Sequence, residues 1–178
     1  MTTNKETEIK TFSTTNSDSE FFIRRCSIED LDGVIEVNER ELPEDYPYFF
    51  YKSILDNFPE TFLVTLDENN KINSYIMWRV EKTPSSTDSL KYVNKGHLVS
   101  IAVSKKYRRR NIATKLLMES MSAIKKYKIL QYVLEVRVSN RAAIKLYEKL
   151  NFNKETIKKK YYRDGENAYF MVLNVRNS

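Results

Sequence analysis

Apolar residues recur along the chain with two periods, and the points where one period gives way to the other divide it into elements. From Glu20 to Arg25 a short extended run leads to Ser27, an N-cap residue type. Beyond it Ile28, Leu31, Val34, Ile35 and Val37 fall on one helical face, predicting a helix that ends near Glu39. The segment Glu41 to Tyr48 carries Pro43 and Pro47 and breaks that pattern before a second helix, Tyr48 to Asn57. Thr61 to Leu66 and Ile72 to Val80 are rich in β-branched and aromatic residues, and the polar run Asp67 to Lys71 between them has hairpin-turn chemistry. After a polar loop at Lys82 to Ser89, His97 to Val103 reads as a continuous apolar strand, the kind expected mid-sheet with both faces covered.

Ile112, Ala113, Leu116, Leu117, Met121 and Ile124 return to helical spacing, predicting an amphipathic helix from Asn111 to Lys126. Ile129 to Val138 is a further strand, and Ala142, Ala143, Leu146, Tyr147 and Leu150 form another helical stripe. Extended runs at Phe152 to Tyr162 and Ala168 to Val175 close the chain. The order β, α, α, β, β, β, α, β, α, β, β predicts an α/β (α+β) fold, a mixed and mostly antiparallel sheet of about seven strands flanked by about four helices. Its irregular alternation argues against a Rossmann domain or a (β/α) barrel. Residues 1–19 are almost entirely polar and read as a flexible tail, leaving 20–178 as a single domain.

Composition narrows the chemistry. With 41% hydrophobic residues and no stretch near the roughly 20 apolar residues that cross a bilayer, the expectation is a globular protein without a membrane partner. One cysteine, Cys26, permits no internal disulfide and suits a cytoplasmic setting. Three glycines, Gly33, Gly96 and Gly165, exclude a Walker loop and a G-x-G-x-x-G fingerprint. A lone histidine and a lone cysteine exclude the usual zinc sites, so no metal is expected, and no G-x-S-x-G elbow accompanies His97. The net charge of +6 gathers in two clusters, Lys105 to Arg110 and Lys154 to Arg163, which read either as solvated surface or as contacts for an anion.

The first cluster lies where a central strand ends and a helix begins. Helix N-termini offer amides without intrahelical acceptors and a positive dipole, so the turn reads as a pyrophosphate site or as an ordinary basic connection. Arg108-Arg109-Arg110-Asn111-Ile112-Ala113 resembles the Q/R-x-x-G-x-G/A acetyl-CoA signature of the GNAT superfamily. Leu134 to Asn140 and Ala143 to Phe152 resemble the second half of that fold. Leu42-Pro43-Glu44-Asp45-Tyr46, Gly96 to Val103 and Tyr161 to Tyr169 are similar to the catalytic subunits of NatA-type N-terminal acetyltransferases, nearest to the archaeal members. Asn111 departs from the pattern where the family has glycine, and asparagine is the side chain that best tolerates positive φ.

The resemblance implies acetyl-CoA as cofactor and the free α-amines of protein N-termini as substrate. Arg108, Arg109, Arg110, Asn111, Ile112, Ala113 and Thr114 would hold the pyrophosphate through their amides. Ile101, Ala102 and Val103 would line the pantetheine, and Asn140 and Tyr147 would meet the cofactor near its sulfur. Tyr147 is either a proton donor to the leaving thiolate or a core residue. Leu42, Pro43, Glu44, Tyr46, Tyr161 and Tyr162 would bind the peptide, although the tyrosine pair reads equally as packing at a sheet edge. Glu44 would hold the incoming ammonium, or else be solvated or cap the next helix.

The amine must be neutral to attack, and α-amines and lysines lie about 2.4 pKa units apart, roughly 3 kcal/mol in favour of an N-terminus. Glu135, a carboxylate inside an apolar strand, is the favoured base because such a group needs a raised pKa or a specific partner; the alternative is a pair with Arg137. His97 is the second candidate, or a histidine satisfied at a strand end. Two rival functions remain: a GNAT enzyme acting on a small amine or a lysine side chain, and a basic RNA- or ribosome-binding module. No sequence-specific nucleic-acid motif is present, whereas ribosome association is compatible with work on nascent chains.

Overall fold

Ser27 opens the first helical segment as its sequence suggests, but the opening turn is tighter than an α-turn. The Asp30 carboxylate accepts the Ser27 backbone N–H at 2.8 Å and its hydroxyl at 3.0 Å, and it pairs with Arg24 at 2.5 Å. Drawn back this way, Ile28–Asp30 winds as a 3-10 turn before α1 (Leu31–Glu41) begins. Leu31, Val34, Val37 and Asn38 are its buried residues, while Ile28 is exposed. A buried asparagine is what the apolar pattern missed.

The computed structural model describes residues 10–12, 21–84 and 92–175. They fall into two compact units, one made of the described residues up to Trp78 with Ser100–Ala123, the other of the described residues of 79–99 with those from Ile124 onward. Among the described residues of the first unit, β1 (Lys10–Phe12) lies inside the stretch read as a tail and pairs antiparallel with β2 (Phe21–Arg25). It is the strand beyond the expected seven. The rest of that tail, and residues 85–89 of the expected polar loop, lie outside the described residues, whereas 82–84 of that loop continue β4.

After α2 (Tyr48–Asn57), β3 (Leu63–Leu66) and β4 (Ile72–Pro84) form the expected hairpin. Asp67 closes its turn by accepting amides of Asn69 at 2.9 Å and Lys71 at 3.0 Å, with Asn70 at φ 59°. The strand order in this unit is β1-β2-β3-β4-β5, the last being the end of β5 (Tyr92–Val103). α3 (Ile112–Ile124) contributes Leu116, Leu117 and Ser120 to the core, where the Trp78 indole N–H donates to Ser120 Oγ at 2.9 Å.

The second unit takes the remainder of β4 and β5, followed by β6 (Ile129–Arg137), α4 (Arg141–Lys149), β7 (Asn153–Lys158) and β8 (Ala168–Asn174). Here the order is β4-β5-β6-β8-β7. β5 and β6 run parallel, with His97 opposite Val133, and β8 pairs antiparallel with both β6 and β7. The close approach of β5 to β6 falls at Gly96, where an added Cβ would stand 3.0 Å from the Tyr132 ring. β7 stops at Lys158, short of the expected Tyr162, because the chain turns at Lys160 (φ 50°) and Gly165 (φ 85°).

β5 is not covered on both faces as expected. Gly96, Leu98, Ser100 and Ala102 are buried while His97, Val99, Ile101 and Val103 are only half-buried, so the strand is fully covered on one face and not on both. A run of apolar residues on both sides of a strand does not reveal which side packs against protein.

Trp78 has no exposed surface and its ring fills the first unit's core. Trp78→Ala should cost about 3–5 kcal/mol of unfolding free energy. Urea denaturation followed by circular dichroism checks this, since the chain's one tryptophan fluorophore is removed.

Candidate active site

Strand alternation places Glu81 on β4, His97 on β5 and Glu135 on β6 in one row within the second unit. The His97 imidazole spans it. Nδ1–H donates to Glu81 Oε1 at 2.7 Å and Nε2–H to Glu135 Oε2 at 2.6 Å. Each end carries a cation. Arg79 donates its Nε–H to Glu81 Oε1 at 2.6 Å, and the Lys158 ammonium donates to Glu135 Oε1. Lys158 comes from β7, on the far side of β8, and its ammonium passes 4.6 Å from the Phe170 ring centroid to reach Glu135.

These contacts decide the protonation states. Burial would lower the affinity of His97 for a proton, but the hydrogen bonds and charges of Glu135, and then Glu81, outweigh it and hold the pKa above the ordinary 6.5. For Glu135 burial works upward, yet His97 and Lys158 outweigh it and bring the carboxyl down to about 2. The carboxylate foreseen on β6 therefore has a specific partner rather than a raised pKa. That partner is not Arg137, which donates to Asp164 and Glu166, each at 2.7 Å. Both nitrogens of His97 are committed to carboxylates, and among the described residues no group of three or more His, Cys, Asp or Glu is placed to hold a metal ion.

In the first unit the basic turn is built by its backbone. Lys105–Tyr107 is a 3-10 turn, after which Arg109 (φ 66°) and Asn111 (φ 61°) are both left-handed. Asn111 thus occupies the conformation that glycine takes cheaply, and Arg109 is a second such residue that no composition rule flagged. The Arg108 guanidinium is spent on structure, donating to Glu41 Oε2 at 2.7 Å and to the Val103 carbonyl at 3.0 Å. What the turn offers an anion is the amides of the first turn of α3, at Ile112, Ala113 and Thr114, which have no intrahelical acceptor, and the exposed side chains of Arg109 and Arg110. Ile101 and Val103 are half-buried on β5, fit to line an apolar ligand arm. The Ala102 methyl and the Ile112 side chain turn into the core instead and leave only their backbone available.

Two expected cofactor contacts in the second unit have structural duties. Asn140 caps α4 by accepting the Ala143 amide at 3.1 Å. Tyr147 is buried edge-on to Phe152, 5.9 Å between centroids, and burial pushes its phenol far above its usual range.

The turn of residues 42–47 is anchored from below. Asn38 donates to the Glu44 carbonyl at 2.7 Å and accepts the Tyr75 hydroxyl at 2.5 Å, which also meets Ser100 Oγ at 2.7 Å. Tyr46 stacks on Phe50 at 4.8 Å. In the second unit Tyr161 and Tyr162 meet edge-on at 5.1 Å, and the Arg137 guanidinium lies 4.1 Å over Tyr162. Neither Glu81, Lys158 nor Asn38 was singled out by sequence. The period-2 spacing of Arg79 and Glu81 was the available signal for the first, whereas Lys158 sat in a basic run and Asn38 on an otherwise apolar face.

A turn with two left-handed residues before a helix, beside a half-buried apolar strand, is what an elongated phosphorylated thioester requires, and comparison with known proteins agrees. The family described as Acetyltransferase (GNAT) family matches residues 27–152. The chain belongs to that family. An N-alpha-acetyltransferase of Saccharolobus solfataricus is 46% identical over 155 residues, covering 86% of this chain and 92% of that protein. The N-terminal acetyltransferase A complex catalytic subunit of Schizosaccharomyces pombe is 36% identical, covering 84% of this chain and 82% of that one. Among solved structures, Naa20 of Chaetomium thermophilum in complex with a bisubstrate analogue superposes with a TM-score of 0.73 at 26% identity over 85% of each chain. Ard1 from Thermoplasma volcanium superposes at 0.76 over 88% of this chain and 99% of that one; at 24% identity it speaks for the fold.

Linkage gives the row a pH window. His97 stabilises the fold fully below pH 6.5 and less as pH rises through its folded pKa; Glu135 stabilises above its ordinary 4.5 and less as pH falls toward about 2. Because the chain has one histidine, its imidazole resonances are unambiguous. An NMR titration should give a midpoint above 6.5, and a midpoint at or below 6.5 would contradict the double-carboxylate clamp.

Proposed function

We propose that this acetyltransferase acetylates the α-amino termini of proteins, and that His97 is the group that receives the proton. Support for the substrate class comes from three archaeal relatives, 46%, 42% and 40% identical, that bear the name N-alpha-acetyltransferase. Acetyl-CoA, when bound, supplies a thioester carbonyl that a neutral amine attacks. One proton must leave the amine for each acetyl group moved, and this chain's residues have to take it.

The observation that carries the assignment is the Glu81–His97–Glu135 row: with both nitrogens donating the ring is an imidazolium, so His97 takes the amine's proton from its neutral form, reached above its raised folded pKa, at the nitrogen that then lacks a hydrogen. A carboxylate held near pKa 2 is a weak acceptor, so Glu135 is better suited to orient His97 and stabilise its charged form than to act as the base itself. His97, titrating above 6.5, is matched to an α-amine near 8 and poorly matched to a lysine near 10.4. The amides of Arg109 to Thr114 hold the pyrophosphate, and Ile101 and Val103 support the pantetheine arm. Tyr147 is buried against Phe152, an arrangement that favours a packing role on α4 over proton donation to the thiolate. Leu42, Pro43, Glu44 and Tyr46 receive the substrate peptide, with Tyr161 and Tyr162 as a second set of peptide contacts.

Work on nascent chains accords with ribosome association, and its support is the basic cluster of Lys154 to Arg163, although Lys154 is paired with Glu148 at 2.8 Å and Lys158 with Glu135. A cytoplasmic setting accords with the buried free thiol of Cys26 and with the lack, among the described residues, of a helix long and apolar enough to cross a membrane.

Turnover should occur with peptides bearing a free α-amine and not with Nα-blocked peptides that contain lysine. His97→Gln should lower kcat about 100-fold or more while acetyl-CoA affinity, read by calorimetry, stays within about twofold. Equal turnover of the blocked lysine peptides would move the substrate to side-chain amines.

A further inference from the structure

Lys158 is the outermost member of the charged row and the least expected. It belongs to β7, which is separated from β6 by β8, where Phe170 stands opposite Glu135 and Ala168 opposite Lys158. Its ammonium spans that gap with the Phe170 ring at 4.6 Å and the Tyr161 ring at 5.4 Å, so aromatic faces hold a side chain that would otherwise be free to rotate. Isolated surface pairs contribute little, but this one ends on a carboxylate whose side chain is 6% exposed, where a charge needs a partner. At the other end Glu81 engages the second imidazole nitrogen and is itself held by Arg79.

We propose that Glu81 and Lys158 are positioning residues for acetyl transfer: they act through His97, Glu81 by fixing the imidazole at Nδ1 and Lys158 by holding the Glu135 carboxylate that faces Nε2. The inference rests on the reading of His97 as the base. It gives the two residues opposite electrostatic signs at one ring. Glu81 adds negative charge beside the imidazole and favours its proton, whereas Lys158 neutralises part of Glu135 and disfavours it. Among the described residues, the charged groups that the row joins to His97 are Arg79 and Glu81 from β4, Glu135 from β6 and, through Glu135, Lys158 from β7; on β5 itself the next charge on the same alternation is Lys95. Cross-strand attachment alone would give no such opposition, since losing either residue would then loosen the sheet in the same sense.

The single histidine makes the test direct. Glu81→Gln and Lys158→Met are prepared in the full chain, with Lys158→Arg as a charge-conserving control that also keeps the test open if the methionine variant folds poorly. NMR should show the His97 midpoint falling in Glu81→Gln and rising in Lys158→Met, each by on the order of one pH unit, with Lys158→Arg close to the parent. The acid limb of kcat/KM for an α-amine peptide should move in the same two directions while KM for acetyl-CoA stays put. Midpoints that do not move, or that move the same way in both variants, would overturn the proposal. Midpoints that separate as described while the kinetic limb stays fixed would instead overturn His97 as the base, and with it any role of its neighbours in the reaction.

Discussion

An imidazole held between two carboxylates is the contact on which the second unit's chemistry depends. Its geometry demands that three neighbouring strands turn a polar side chain to the same face, Glu81 from β4, His97 from β5 and Glu135 from β6, two residues beyond the Val133 that pairs with His97, with hydrogen bonds of 2.7 and 2.6 Å. Register does this work. A slip of one residue in any of the three strands would turn its member of the row to the opposite face. The parallel pairing of β5 with β6 is part of the same requirement, and Gly96, the residue immediately before His97, lets the two strands close against Tyr132.

The row also shows why burial alone is a poor guide to a carboxylate's role. Glu135 is almost enclosed, and enclosure raises a carboxyl pKa, yet its contacts carry it to about 2. The acid that looked like a base in isolation becomes the fixed charge, and the histidine beside it becomes the group that titrates. In the first unit the division of labour is similar: Arg108, the residue that heads the acetyl-CoA signature, ties the turn to Glu41 on α1, so the backbone bent by Arg109 and Asn111 is left to face the anion.

Much of this was legible in the chain. The hairpin at Asp67 to Lys71, α2, and the stripe of α3 followed from local chemistry and apolar period, and six segments resembling the family in order pointed to the fold class. Asn111 met its expected left-handed conformation because asparagine is among the few side chains that tolerate it. What escaped were contacts made at a distance. Nothing local marks Lys158 out from Lys159 and Lys160, because its role depends on the Phe170 ring lying between it and Glu135. Asn38 looked like an interruption of an apolar face, and only the fold shows its amide reaching the Glu44 carbonyl while Tyr75 supplies its other bond. The two-sided cover expected for β5 failed for a related reason, since apolar residues facing a ligand and apolar residues facing a core are written alike.

The claim that His97 takes the amine's proton is open to chemical rescue. His97→Ala leaves a space between Glu81 and Glu135 of the size of the ring removed, and imidazole added to the folded variant should restore peptide α-amine acetylation, with substituted imidazoles ranking by their pKa values. Turnover by His97→Ala at the parent rate without additive, or no recovery with imidazole in a folded variant that still binds acetyl-CoA, would contradict the account.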